Sequence, residues 1–332
     1  MARVRSVAVV LGAAVLAGAC SDPSEDESGS LPRPVTSSTS SASTPPQPPQ
    51  PPATAAPTEP VREPRLSADD VDVRTALGAV DVLAGRIGPR PGHSPAYFKA
   101  AGWVERQLTS FGWQVERQQF PTPGGVSWGV PVESGPSVNL VATRGDITPG
   151  EPWLAVGAHL DAVPQSPGAE DNASGIGVLL ALAEAAAERQ TRLPVVLIAF
   201  GSEEPRGPSD DDHHYGSRAY VAALSAKERR TLRGMVSLDR VGVGDVVPVG
   251  SPAEPNALTD ALQEAGRADG VPTVFDPFQR SSDHWSFARE GLPGARLGST
   301  SYVGYHSARD VPSVVEPAQL ERTARLVAHW LR

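Results

Sequence analysis

Four carboxylates and two histidines stand just past apolar runs of this chain. His159 closes the run that starts at Trp153, Asp171 lies in the loop beyond it, Glu203 and Glu204 follow the run ending at Phe200, Asp239 follows Met235–Leu238, and His306 sits in Gly-Tyr-His-Ser. Acids and imidazoles gathered at one edge of a sheet are costly unless a positive group sits among them. A divalent cation meets that need. Zinc takes imidazole nitrogen and carboxylate oxygen while leaving a position open for water, and two zincs about 3.5–4 Å apart share a bridging carboxylate.

The elements that must deliver these side chains are legible from pattern. Trp153–Ala158 is a short apolar run of the kind buried on both faces of a sheet, and Leu193–Phe200 and Met235–Leu238 are two more. The small and apolar residues from Ile176 to Ala187 predict a helix with Ser174 as its N-cap. Helical patterns also cover Val71–Leu83, Pro95–Phe111, Ala257–Ala268, Asp283–Glu290 and Pro317–Leu331, while Trp113–Phe120, Val138–Thr143 and Val271–Phe275 read as extended. Strands alternating with helices predict an α/β domain with a mostly parallel central sheet and helices on both faces. Such sheets bind ligands in the crevice at the carboxyl ends of the strands.

The 332 residues carry 29 Lys and Arg against 38 Asp and Glu, a formal charge of −9, with one cysteine. That balance argues against nucleic acid as a partner, and no disulfide can form within the chain. Residues 1–19 hold Arg3, Arg5 and an apolar run from Val7 to Leu16, the layout of an export signal and too short for a spanning helix. The cut before Cys20 is specified twice. Ala17-Gly18-Ala19 is a small-x-small site and also resembles a bacterial lipobox, so Cys20 is expected to carry a lipid at the outer face of the bacterial cytoplasmic membrane. Removing Arg3 and Arg5 with the signal takes the charge from −9 to −11. Residues 20–66, rich in Pro, Ser and Thr, are expected to be a disordered tether, and residues 67–332 a single catalytic domain.

From about Gly85 to Asp310 the chain resembles the secreted co-catalytic di-zinc aminopeptidases, whose fold is shared with glutamate carboxypeptidase, glutaminyl cyclase and the transferrin receptor ectodomain. GRIGPRPGHS, AHLD, PGAEDNASG, the Glu203-Glu204 pair, SLDRVG, SSDHWSFAREGLPGA and YHSARD occur in the family's order. The resemblance implies the zinc-dependent exopeptidase fold and two Zn²⁺ as cofactors: His159 and Asp239 on one, Glu204 and His306 on the other, with Asp171 bridging. It implies that Glu203 is the general base for a zinc-activated water and that the Tyr305 hydroxyl donates to the developing oxyanion. Asp161 is expected to orient the His159 imidazole, and Asp310 to do likewise for His306. A cis peptide is expected at Asp171-Asn172. Asp283 and His284 are expected to support the site without binding metal.

The activity so implied is removal of N-terminal residues from peptide substrates, with no protein partner and no membrane contact beyond the lipid. Two rivals stand beside it: a glutaminyl cyclase-like, single-zinc aminoacyltransferase, and a non-catalytic receptor-like domain, which would be expected to lose ligands this chain retains. One departure from the family's pattern is the stretch PRGPSDDDHHY after Glu204, where the family has a short link. Its charge and prolines predict a solvated loop.

Overall fold

The computed structural model describes residues 63–332 apart from 146, 147, 149 and 299. The export signal, Cys20 and the tether up to residue 62 lie outside the described residues. In chain order the strands are β1 (Gln114–Thr122), β2 (Gly125–Ser127), β3 (Val130–Val132), β4 (Gly135–Thr143), β5 (Trp153–His159), β6 (Val195–Phe200), β7 (Leu232–Leu238), β8 (Val247–Gly250), β9 (Thr273–Asp276) and β10 (Gly294–Leu297). The α-helices are α1 (Val73–Val80), α2 (Pro95–Ser110), α3 (Gly175–Ala185), α4 (Tyr215–Ala223), α5 (Ala226–Thr231), α6 (Ala257–Ala268), α7 (His284–Ala288) and α8 (Pro317–Leu331).

Among the described residues, eight strands form one sheet in the order β1-β4-β6-β5-β7-β10-β8-β9, and β2 with β3 forms a separate hairpin. The four central strands run parallel, while β4 pairs antiparallel with β1 and with β6, and β8 antiparallel with β10. Of these, β6 is apolar throughout and β5 up to His159, because each feeds two cores, one per face. Leu154, Val156 and Ala158 of β5 pack into the core shared with α1, α2, α3 and α8, while Trp153 and Ala155 face the smaller core closed by Tyr220 of α4 and Phe287 of α7. This is the two-faced α/β architecture that the alternation of strands and helices predicts.

Local chemistry accounts for most helix starts. Ser94 caps α2 by accepting the Tyr97 N–H, with Pro95 in the first turn, and Asn256 caps α6 by accepting from Leu258 and Thr259. Ser174 does not cap α3. It is itself helical, its hydroxyl donates to Glu170 O, and the cap is Asn172, whose Oδ1 accepts the Gly175 N–H at 3.0 Å. A wide turn over Ala169–Ser174 precedes α3 and moves the start of helical backbone ahead of Ser174. Leu66 also departs from expectation: it is fully buried and its N–H donates to Gln190 O, so it packs with the globular part and not with the tether. β8 and β10 are absent from the sequence pattern because each is four residues long and glycine- or proline-bearing; cross-strand pairing of Leu297 with Val249 makes them strands.

Candidate metal centre

β5 lies between β6 and β7, and all three run parallel, so the residues beyond their carboxyl ends emerge side by side. His159 ends β5, Glu203 and Glu204 follow β6, and Asp239 follows β7. Asp171 arrives from the loop before α3, and His306 from the loop after β10. Arg90, fully buried, holds the β5 loop at both ends: its guanidinium donates to Leu160 O at 2.7 Å, to Pro167 O at 2.6 Å and to Gly168 O at 2.9 Å. Three non-glycine residues beside the cluster, Ser202, Arg240 and His306, have φ of 51°, 58° and 50°. Left-handed backbone at ordinary residues is strain of the kind that gathers at functional sites. The Asp171-Asn172 peptide is cis, as expected.

The six side chains expected to meet do meet. Asp171 divides its oxygens between the two imidazoles, Oδ1 lying 3.1 Å from His159 Nε2 and Oδ2 lying 2.9 Å from His306 Nε2. On one side His159 Nε2 is 3.8 Å from Asp239 Oδ1 and 4.0 Å from Glu203 Oε2; on the other, His306 Nε2 is 3.5 Å from Glu204 Oε2. Among the described residues, two groupings have ligand atoms within 4.8 Å of one another, His159-Asp171-Glu204 and His159-Glu203-Asp239. They floor a cavity of about 350 Å³ whose rim includes Trp128, Phe278, Arg280 and Tyr305.

Asp161 does more than lie beside the His159 ring, its Oδ1 being 3.7 Å from Nδ1, and Asp310 supports the cluster in a different way from the one expected. Asp161 Oδ1 and Oδ2 accept the backbone N–H groups of Glu203 and Glu204 at 3.0 and 3.2 Å, while His159 Nδ1 also meets the Asp161 carbonyl at 3.2 Å. Asp310 Oδ1 and Oδ2 accept the N–H groups of Glu170 and Asp171 at 2.8 and 3.2 Å, and His306 Nδ1 has no hydrogen-bond partner. Each acid thus fixes the loop that carries ligand-type residues. Tyr305 stacks on His306 with ring centroids 3.7 Å apart, under the Arg240 guanidinium.

The electrostatics fit a cation. Burial pushes Glu203 and Glu204 up to about 8, helped by Asp239 beside the first and Asp171 beside the second. Burial opposes ionisation of Asp171 and Asp239 as well, yet the imidazoles of His159 and His306 hold Asp171 low, and the Arg296 guanidinium and His159 do so for Asp239. Burial would lower His306, but Glu204 and Asp171 outweigh it and raise it to about 10. Glu203, Glu204 and His306 are thus displaced toward their protonated forms beside two ionised aspartates, and Glu204 Oε1 is buried without a partner. Buried carboxylates and imidazoles with unused lone pairs are a donor set for a divalent metal.

Three residues at the site escape sequence reasoning. Arg296, fully buried in β10, lies 3.0 Å from Asp239 Oδ2; a charge inside an apolar strand was its only signal. Trp128, at the tip of the β2–β3 hairpin, packs on His306 at 4.3 Å between centroids. The Asp210–His214 stretch was expected to be solvated throughout. Asp210 and Asp211 are exposed, but His214 is buried, with Nε2 3.1 Å from Glu203 Oε1, and burial pushes it down to about 4. Asp283 and His284 are both fully buried and belong to neither grouping, and burial pushes Asp283 up to about 7.

Residues 139–331 match the family described as Peptidase family M28. Leupeptin-inactivating enzyme 1 of Streptomyces exfoliatus is 26% identical over 284 residues, 78% of this chain and 60% of that protein. The probable lipoprotein aminopeptidase LpqL of Mycobacterium tuberculosis is 28% identical over 214 residues, 58% of this chain and 40% of its own length. The chain therefore spans 40–60% of these two curated relatives. A zinc aminopeptidase from Bacillus subtilis superposes with a TM-score of 0.69 at 18% identity, covering 81% of this chain and 95% of that one. Porphyromonas gingivalis glutaminyl cyclase does so with a TM-score of 0.68 at 20% identity, covering 79% and 98%. The two superpositions establish the fold.

Proposed function

This chain belongs to peptidase family M28, and we propose from that premise and from the strand-end cluster that it is an exported metallo-aminopeptidase. The observation that carries the reading is the division of Asp171 between His159 and His306, with a second acid beside each imidazole. His159, Asp239, Glu204 and His306 would hold two zinc ions, with Asp171 between them. When bound, zinc supplies a Lewis acid that polarises the scissile carbonyl and acidifies water.

The chain's own residues do the rest. Glu203 is the general base: it takes the proton of the attacking water and later returns it to the leaving amine. Asp161 anchors the backbone N–H groups of Glu203 and Glu204, so the two neighbouring side chains keep separate directions and separate jobs. The Tyr305 hydroxyl meets negative charge on the tetrahedral intermediate, an oxyanion-hole role. Two guanidiniums near Asp239, those of Arg296 and Arg240, limit the net negative charge that a substrate's free amino group meets.

Export and lipid attachment at Cys20 complete the reading, supported by the lipobox-like sequence and by a relative whose name includes lipoprotein. No helix among the described residues is long and apolar enough to cross a membrane. The test is metal analysis of the protein beside a panel of aminoacyl substrates and a glutaminyl peptide, with and without chelator. Chelator-sensitive release of N-terminal residues is expected. Cyclisation of the glutaminyl peptide without hydrolysis would replace the reading with a cyclase, and activity indifferent to chelator would remove the metal from it.

A further inference from the structure

The segment after Glu204 leaves the site and comes back to it. His214 N–H donates to Glu203 O at 2.9 Å and Tyr215 N–H to Ser202 O at 3.0 Å, so the intervening loop closes on the residues it departs from. The return is packed too tightly to slide. A Cβ at Gly216 would lie 2.3 Å from Gly201 O and 2.4 Å from Asn139 Oδ1, so only glycine allows α4 to start there. Asn139 ties the two backbones, accepting from Gly201 N–H and donating to Gly216 O. His214 itself is left-handed, with φ 59° and ψ 35°, and Ser217 Oγ donates to its carbonyl at 3.3 Å.

That geometry sends the His214 imidazole inward, to 3% exposure. Its Nε2 stands 3.1 Å from Glu203 Oε1, a close approach without hydrogen-bond geometry, and neither ring nitrogen has another hydrogen-bond partner among the described residues. Glu203 Oε2 is turned the other way, 4.0 Å from His159 Nε2. Left to itself, Glu203 has the reach of a ligand, since it falls within 4.8 Å of the ligand atoms of His159 and Asp239. A glutamate so placed needs a reason to stay a base.

We propose that His214 is the positioning residue for Glu203: its Nε2 edge faces Oε1 and donates to it in the metal-loaded protein, which keeps that oxygen out of the metal cluster and presents Oε2 to the cavity. The insertion that departs from the family's pattern exists, on this view, to bring that imidazole back to the base. The inference rests on the assignment of Glu203 as general base, and its failure is separable from the failure of that assignment.

The experiment is a double-mutant cycle on the metal-loaded protein. His214→Asn suits the left-handed backbone but is too short to reach Glu203, whereas His214→Gln places an amide N–H at about the reach of Nε2. His214→Asn should lower kcat by about 10- to 100-fold at unchanged KM, metal content and melting temperature, and His214→Gln should recover most of the loss. Placed on Glu203→Gln, His214→Asn should cost nothing further, because both act through one group. An equal loss in the two backgrounds, loss of metal from His214→Asn, or no rescue by His214→Gln would overturn the proposal. Full activity in Glu203→Gln alone would instead remove the base assignment beneath it.

Discussion

Arg296 Nη2 lies 3.0 Å from Asp239 Oδ2 with the two side chains 1% and 4% exposed, and its Nη1 donates to Ser281 Oγ at 2.6 Å. A guanidinium locked onto an expected metal ligand sets how that ligand behaves when metal is removed. Cutting one partner from a buried pair leaves the other charge unpaired, at a cost of about 3–5 kcal/mol. Arg296→Met should therefore unfold more easily in chelator, by about that amount. Zinc should restore much of the loss, because a metal at Asp239 replaces the missing positive charge. Thermal unfolding with and without zinc reads both effects, and an equal destabilisation in the two conditions would count against metal at Asp239.

The adjacent glutamates should separate cleanly. On the proposed reading Glu203→Gln removes a base and no ligand, so metal content should hold while kcat falls by about 10²–10⁴. Glu204→Gln weakens what the same reading makes a ligand, its Oε2 3.5 Å from His306 Nε2, so it should lose metal and regain part of its activity with added zinc. The reverse pattern would exchange the two roles.

Trp128 is 54% exposed at the hairpin tip, yet its ring packs on His306 and stands edge-on to Tyr305 at 5.9 Å. Trp128→Ala should leave the melting temperature nearly unchanged, because the ring adds nothing to either core. It should lower kcat/KM by about 2- to 10-fold, the worth of an aromatic contact of about 0.5–1.5 kcal/mol. Steady-state kinetics at fixed zinc would measure it.

His284 is fully buried, with Nε2 3.0 Å from Gln279 O, and burial, with Arg296 nearby, pushes it down to about 3. Above about pH 6.5 the imidazole is neutral in both folded and unfolded chains, so it adds no pH dependence. Below that value the unfolded chain binds a proton that the folded one refuses, so stability falls by about 1.4 kcal/mol per pH unit until about pH 3. His284→Gln should flatten the acid limb by that slope between pH 6 and 4. Denaturant titrations at several pH values would show it, and identical slopes in the two proteins would contradict it.

Much of this architecture is legible in the sequence, because strand burial and helix periodicity are local properties. The Trp153–Ala158 run alternates between two cores and so is apolar at every position, and α6 and α8 fall where their patterns place them. The convergence of His159, Glu203 and Asp239 follows from strand ends alone once the three strands are parallel neighbours.

What the sequence by itself determined, then, is the order of elements and the types of residue at their ends. Tertiary structure alone decided what each side chain answers to. Asp161 serves the backbone of a strand end 42 residues on, Asp310 a loop 140 residues back, and Arg296 an aspartate just past the neighbouring strand. His214 sits in a run of acids and histidines that has the composition of a solvated loop, and is buried with Nε2 3.1 Å from Glu203 Oε1 only because the loop's two ends meet. Hydrogen bonds and ion pairs are satisfied by whichever group arrives at about 3 Å with the right angle. Across such separations no local period records that arrival; the folded sheet supplies it.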